Sequence, residues 1–179
     1  YVSLMKLSGE NYYLDEIQEF HIDNNYLGWL NDKEINKFLE IRFYEQNHES
    51  AKKYINSFKS NEEKKLWGIF YKQNKKLVGT VNLTNINLFH ETCMVNIMVG
   101  DKEHWGKSAA SEGIKLALEF ASKKLKMRKV LASTYAENMS INFTLKNLGF
   151  SIEGKLEKNR KLENNLYSDE FKWGIFLDN

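Results

Sequence analysis

The stretch VGDKEHWGKSAASEG, Val99 to Gly113, decides how the chain is read. It lies between two different periodicities. Upstream, TCMVNIMVG (92–100) is an apolar run typical of a strand. Downstream, residues 107–125 put Ala110, Ile114, Ala117, Leu118, Ala121 and Leu125 on one helical stripe. The stretch is therefore a strand, a turn and a helix start. Its Gly106-Lys107-Ser108 almost spells the nucleotide-binding loop G-x-x-x-x-G-K-[ST]. That loop needs glycine five residues before Gly106, where this chain has Asp101; Gly100 comes one residue too early. A carboxylate at a phosphate-wrapping position repels its ligand, so the nucleotide-loop reading is set aside. A second reading keeps the anion. N–H groups at a helix start lack intrahelical partners, and the helix dipole favours negative charge there. Gly106, Ala109 and Ala110 are small enough to let a phosphate reach the main chain, and Lys107 adds positive charge. The alternative is an ordinary strand-to-helix connection begun by Ser108.

Working outward, residues 2–7 and 12–19 read as short strands around a Ser-Gly-Glu-Asn turn. Asp23 is placed to cap a helix through Tyr26, Trp29 and Leu30. A second helical piece is expected at 33–40, with Ile35, Phe38 and Leu39 on one side, and a third at 48–59. LWGIFY (66–71) and KLVGTVNLTNI (76–86) read as a hairpin. KVLASTY (129–135) reads as a strand and 139–148 as a short helix. SIEGKLE and LYSDEFKWGIF read as a closing hairpin. Helices early, an antiparallel meander, one strand–helix–strand crossover, a helix and a hairpin predict a mixed α/β fold with a mostly antiparallel sheet. The chain reads as a single domain over 1–179.

The 179 residues are 42% hydrophobic, enough for one sizeable core. Net charge of +2 suggests no broad nucleic-acid footprint. No apolar run approaches the roughly 20 residues of a membrane span. The lone cysteine, Cys93, fits a reducing compartment, and a cytoplasmic protein is expected. A start at Tyr1 suggests that the native chain extends further. His21, His48, His90 and His104 lack metal-ligand spacing, so no metal is predicted. The lysine-rich stretches 123–129 and 155–161 read as solvated faces, with contact to a ligand phosphate as the alternative.

HWGKSAASEGIKLALEFA (104–121) resembles the Trp-Gly-Lys-Gly-Tyr-Ala-Thr-Glu-Ala run of the GNAT acetyltransferase superfamily. The resemblance continues in ENMSINFTLKNLGFSIEGKL (137–156), which looks like that family's Asn-led helix, Gly-Phe and Glu-Gly. YLGWLNDKEINKFLE (26–40) looks like the opening helices of the branch holding ribosomal-protein N-terminal and aminosugar acetyltransferases. The similarity covers roughly residues 12–176. It implies a GNAT-like twisted sheet in which strands 92–99 and 129–135 are parallel and splay apart, with acetyl-CoA as cosubstrate. By that resemblance, the backbone of Met98 and Val99 would hold the pantetheine arm. The turn His104, Trp105, Gly106, Lys107, Ser108, Ala109 and Ala110 would hold the pyrophosphate. Asn138 would contact the arm or the acetyl region, flanked by Asn142 and Phe143.

The implied reaction is direct attack of an amine on the thioester in a ternary complex. The chain departs from the family at four points. Met94 replaces a strand carboxylate, and Leu145 replaces a tyrosine acid. Ser108 replaces a second glycine, and Ser140 follows Asn138 by two residues rather than three. A water chain ending on Glu137, Tyr135 or His90 would then supply acid–base chemistry. Each also has a plainer reading, as a helix-start carboxylate, strand packing and a polar loop residue respectively.

For the acceptor, Trp29, Arg42, Phe43, His90 and Asn96 are the candidates. NINLFHETC (85–93) resembles the matching loop of acetyltransferases of nucleotide-linked amino sugars. Arg42 could grip an acceptor phosphate bidentately, Asn96 would narrow the pocket, and for Trp29 and Phe43 a place in the core is the favoured reading. Three functions follow: acetylation of a small amine such as a nucleotide-linked amino sugar, acetylation of a protein N-terminus, or non-catalytic CoA sensing. A closed pocket with Arg42 inside would favour the sugar, and an open or acidic groove the peptide. The apolar closing hairpin leaves a homodimer open.

Overall fold

A computed structural model describes residues 4–59 and 61–177. Eight strands form one sheet: β1 (Leu7–Ser8), β2 (Tyr12–Asp15), β3 (Lys65–Tyr71), β4 (Leu77–Asn87), β5 (Thr92–Val99), β6 (Lys129–Tyr135), β7 (Ser151–Lys161) and β8 (Tyr167–Phe176). Their order is β1-β2-β3-β4-β5-β6-β8-β7. All neighbours are antiparallel except β5 and β6. That pair is joined by the helix α3 (Ala109–Lys123), the crossover that a parallel pair requires. The other helices are α1 (Asn24–Asn31), α2 (His48–Lys59) and α4 (Met139–Asn147).

Alternation along the central strands makes two cores, one on each face. Val81 and Leu83 of β4, Cys93 and Val95 of β5, and Val130 and Ala132 of β6 pack with Ala117, Phe120 and Ala121 of α3. On the other face, Met98 of β5 joins Tyr26, Leu30, Ala51, Ile55 and Phe58 from α1 and α2. The intervening residues Asn82, Thr84, Asn96, Ser133 and Tyr135 therefore share the α1–α2 face. The buried side of α3 is centred on Ala109, Gly113, Leu116, Ala117 and Phe120, whereas Ala110 and Leu118 are only half-buried.

Two expected elements differ. Residues 33–39 are a series of turns, followed by a one-turn helix at Glu40–Phe43. The Asp32 carboxylate accepts the N–H of Glu34 at 2.8 Å, and the Asn36 amide donates to the Leu30 carbonyl at 2.9 Å. These local side-chain bonds compete with helix formation. The strand expected at 12–19 stops at Asp15, and Ile17 drops into the α1–α2 core. Of the strand expected at 2–7, only Leu7 pairs, and residues 1–3 lie outside the described residues. No helix among the described residues is long and apolar enough to cross a membrane.

Candidate active site

Pairing between β5 and β6 covers only Thr92↔Lys129, Cys93↔Val130 and Met94↔Leu131. Beyond that point the strands diverge, while β5 stays paired to β4 as far as Val99 and β6 to β8 as far as Tyr135. The divergence opens a cavity of about 720 Å³. Ile114, Ile141 and Leu145 from α3 and α4 line it, and so do Tyr26, Tyr54 and Phe58 from α1 and α2. Since those helices cover opposite faces, the opening runs through the sheet.

At the end of β5 the chain enters the turn that leads to α3. Asp101 accepts the N–H of Glu103 at 3.0 Å and pairs with Lys76 at 2.9 Å, so it caps a one-turn helix. Gly106 has φ +72°, and a Cβ there would meet nothing within 4 Å. Ser108, the residue before α3, has φ 62° and ψ 2°, in the left-handed region. The first intrahelical bond of α3 runs from Glu112 N–H to the Ser108 carbonyl. The N–H groups of Ala109, Ala110 and Ser111 thus precede the hydrogen-bond ladder, at the positive end of the helix dipole. A free strand edge beside a helix start with an open glycine fits the extended arm and diphosphate of coenzyme A.

The other residues expected at the cofactor are placed unevenly. Met98 lines the cavity. The Val99 carbonyl accepts the Trp105 indole N–H at 2.9 Å, and that ring is partly exposed. Lys107 is exposed. His104 is buried, with Nδ1 2.8 Å from the Tyr12 hydroxyl, so its ring holds the turn to β2, and it lines a second cavity together with Gly106, Lys107 and Ser108. Asn142 is a correction. Its amide accepts from Thr134 Oγ1 at 2.6 Å and donates to the carbonyls of Tyr135 and Ala136 at 3.1 Å, tying α4 to β6. Phe143 is exposed on α4. Asn138 lines the cavity, and its side chain makes no capping bond.

Tyr135 is buried at the end of β6 and lines the cavity. Its hydroxyl donates to Glu40 Oε1 at 3.3 Å and accepts from Arg42 Nη2 at 3.4 Å. Burial, and then the Glu40 charge, push its phenol above the ordinary value, so it stays protonated at neutral pH. The two other residues expected to carry protons lie elsewhere. Glu137 accepts the Ser168 hydroxyl and is absent from the cavity lining, and His90 is exposed in the β4–β5 turn. Met94 and Leu145 both line the cavity, so the family's carboxylate and tyrosine positions are present but apolar.

Among the acceptor candidates, Asn96 lines the cavity floor. Its amide donates to Asn82 Oδ1 at 2.9 Å and Thr84 Oγ1 at 3.2 Å, and Asn82 donates to the Tyr54 hydroxyl at 3.3 Å. Trp29 packs against Gly100, outside the lining. Phe43 is neither core nor cavity: it is 48% exposed, with the Arg42 guanidinium 4.7 Å from its ring centre. Arg42 donates to the carbonyls of Lys37 and Lys161, bracing the α1–α2 connection against β7.

Sequence reading missed the charged residues behind Tyr135. Glu170 is 1% exposed on β8, opposite Tyr135. It accepts from Arg160 at 2.6 Å, from Lys172 at 2.6 Å, and from Ser133 and Asn159. Burial would raise its carboxyl, but those donors pull it down to about 2. Arg160 also pairs with Glu40 at 2.7 Å, so the 155–161 stretch is more than a solvated face. The available signal was alternation: Glu170 and Lys172 interleave with Phe171 and Trp173 in an otherwise apolar strand.

Comparison with known proteins agrees with this architecture. A Bacillus subtilis (strain 168) protein named "Probable N-acetyltransferase YjcK" is 31% identical over 104 residues, covering 58% of this chain and 56% of that relative. Among solved structures, RimL, a ribosomal L7/L12 alpha-N-protein acetyltransferase in complex with coenzyme A, has TM-score 0.85 at 16% identity, covering 97% of this chain and 99% of its own. Spermidine N-acetyltransferase from Vibrio cholerae, in complex with CoA and spermine, has TM-score 0.81 at 21% identity, covering 93% and 95%. The family model for the GNAT acetyltransferase domain matches residues 13–151, and the chain belongs to that family.

Proposed function

We propose that the protein transfers an acetyl group from acetyl-CoA to a primary amine that carries no phosphate, with a peptide N-terminus as the leading case. The observation that supports it is the opening between β5 and β6, a cavity that reaches the α1–α2 face and is lined by Ile114 of α3, the helix that follows the Gly106–Ser108 turn. Acetyl-CoA brings an activated acyl group. The chain holds it against the amine, and such positioning can contribute about 7–11 kcal/mol. The amine nitrogen bonds to the thioester carbon, the carbon–sulfur bond breaks, and the amine loses a proton while the thiolate gains one. A main-chain N–H of Met98 or Val99 steadies the carbonyl oxygen as charge develops. Glu40, in contact with Tyr135 and lining the cavity, takes the amine proton through water. The Tyr135 hydroxyl returns one to sulfur. Asn138 hydrogen-bonds the arm near the reacting centre.

The acceptor follows from how the cations are spent. Arg42, on which a sugar-nucleotide acceptor rests, is committed to two carbonyls. Arg160 faces the cavity already matched by Glu40 and Glu170. Lys64 sits over the Phe58 ring. The lining also carries Glu63, beyond the paired Glu40, and a carboxylate there suits a cationic amine better than a phosphate. The test is thiol release from acetyl-CoA with a panel of short peptides, alkyl amines and nucleotide-linked amino sugars. Turnover is expected with peptides or alkyl amines. Turnover confined to the sugar nucleotides contradicts the acceptor assignment, and none with any amine favours CoA sensing.

A further inference from the structure

The first turn of α3 carries a carboxylate, Glu112, beside the N–H groups assigned above to a diphosphate. Its charge suits the helix dipole but opposes a second anion at the same helix end. Its geometry gives it a different task. Oε2 accepts the backbone N–H of Asn11 at 2.9 Å and of Tyr12 at 3.1 Å. Oε1 accepts the Asn11 side-chain amide at 3.1 Å and the Ser108 hydroxyl at 3.1 Å. Both oxygens are thus doubly engaged, by groups about 100 residues away in sequence and by the residue that opens the helix. Burial would raise this carboxyl, yet the four donors hold it below its ordinary value, so it stays ionised at neutral pH.

Two further observations bear on the same contact. A Cβ on Gly9 would stand 2.8 Å from Glu112 Oε2 and 3.1 Å from the Tyr12 carbonyl, so the turn before β2 leaves room for the carboxylate only because residue 9 lacks a side chain. Tyr12 also holds the other side of the loop, through its hydroxyl on His104. Ser108 meanwhile occupies a left-handed conformation that a non-glycine residue disfavours, and such strain persists only where the surroundings impose it.

We propose that Glu112 is a positioning residue for the cosubstrate. It clamps Ser108 in the left-handed conformation and fastens the start of α3 to β2, so that the N–H groups of the turn converge on the diphosphate of acetyl-CoA. This rests on the acetyl-CoA-dependent function proposed above. The clamp accounts for a serine where the resemblance expects a second glycine: glycine adopts the turn unaided, whereas serine is held there through its hydroxyl.

The test is calorimetric titration of CoA into wild type, Glu112→Ala and Glu112→Gln, well below each protein's Tm, together with kcat at saturating acetyl-CoA. Glu112→Ala is expected to weaken CoA binding about tenfold while kcat changes less than about twofold. Glu112→Gln keeps an oxygen for the Asn11 and Tyr12 N–H groups but turns a donor toward the Asn11 amide and the Ser108 hydroxyl, and is expected to recover part of the affinity. A Glu112→Ala protein with lowered Tm and wild-type CoA affinity overturns the proposal, because Glu112 then serves stability alone. If Glu112→Ala does not fold, Gly9→Ala displaces the carboxylate with its charge intact, and the same weakening is expected; unchanged affinity refutes the clamp. Wild type that binds no CoA removes the functional reading itself, an outcome distinct from both.

Discussion

Replacing Ser108 by alanine and by glycine separates two opposing contributions at the turn before α3. Ser108 sits at φ 62°, ψ 2°, where an L-residue costs about 1–2 kcal/mol that glycine does not incur. Its hydroxyl donates to Glu112 at 3.1 Å, a bond worth about 1 kcal/mol net. Alanine loses the bond and keeps the strain, so Ser108→Ala should destabilise by about 1 kcal/mol. Glycine loses the bond, relieves the strain, and gives up about 0.4–1 kcal/mol through a freer unfolded chain. Ser108→Gly should therefore lie close to wild type. For a chain of this size 1 kcal/mol moves Tm by about 2–4 °C. Scanning calorimetry should place the alanine variant about 3 °C below wild type and the glycine variant within about 2 °C of it. If glycine is as destabilised as alanine, the strain is no larger than the roughly 0.4–1 kcal/mol that glycine gives up in the unfolded chain, short of the value assigned here, and the reasoning fails.

Glu170→Gln leaves Arg160 and Lys172 facing a neutral amide. It should cost about 3 kcal/mol at neutral pH, the low end for a broken buried pair because both cations keep access to water. The Glu170 carboxyl falls from 4.5 to about 2 on folding, so its contribution is full above about pH 4.5 and fades as pH drops toward 2. Denaturant melts of both proteins should converge between those values, and a pH-independent gap contradicts the assignment. Arg42→Lys can reach only one of the Lys37 and Lys161 carbonyls. It should raise the acceptor KM several-fold with little change in acetyl-CoA affinity, measured by initial rates; an unchanged acceptor KM counts against the brace. Burial pushes the Cys93 thiol up to about 12, so native protein should be inert to thiol reagents at pH 8 and react only after unfolding.

Local pattern located what local forces determine. The helix at 48–59 and the strand at 129–135 begin and end where their periodicity does. Asp23 caps α1, accepting the Tyr26 N–H at 2.9 Å. The parallel pair of β5 and β6 and the turn at Gly106 followed from family-like residues in the right order. Reading failed where a side chain's partner is distant or competes with the backbone. Asp32 and Asn36 turned an expected helix into turns. Asn142 sits where a ligand-facing role was expected, yet it points inward to tie α4 to β6. Glu40, Arg160 and Glu170 meet only when the α1–α2 connection lies against β7 and β8, a juxtaposition no window of sequence contains. Arg42 was rightly picked as a charge needing partners, but its partners proved to be carbonyls of this chain.

The central claim is that the Gly106–Ser111 turn holds the diphosphate of coenzyme A. Gly106→Glu tests it most directly, read against Gly106→Ala, which bears the same backbone strain at φ +72° without the charge; a Cβ there meets nothing within 4 Å, so neither variant clashes. Thermal unfolding of wild type and both variants would be recorded with CoA, acetyl-CoA and ATP–magnesium. At a hundredfold excess over Kd a ligand adds about 2.7 kcal/mol, a Tm rise of about 5–11 °C here. The account predicts that rise for wild type with CoA and acetyl-CoA, none with ATP–magnesium, and its loss in Gly106→Glu but not in Gly106→Ala. A rise with ATP–magnesium and none with CoA, or a rise with CoA that survives Gly106→Glu, contradicts it.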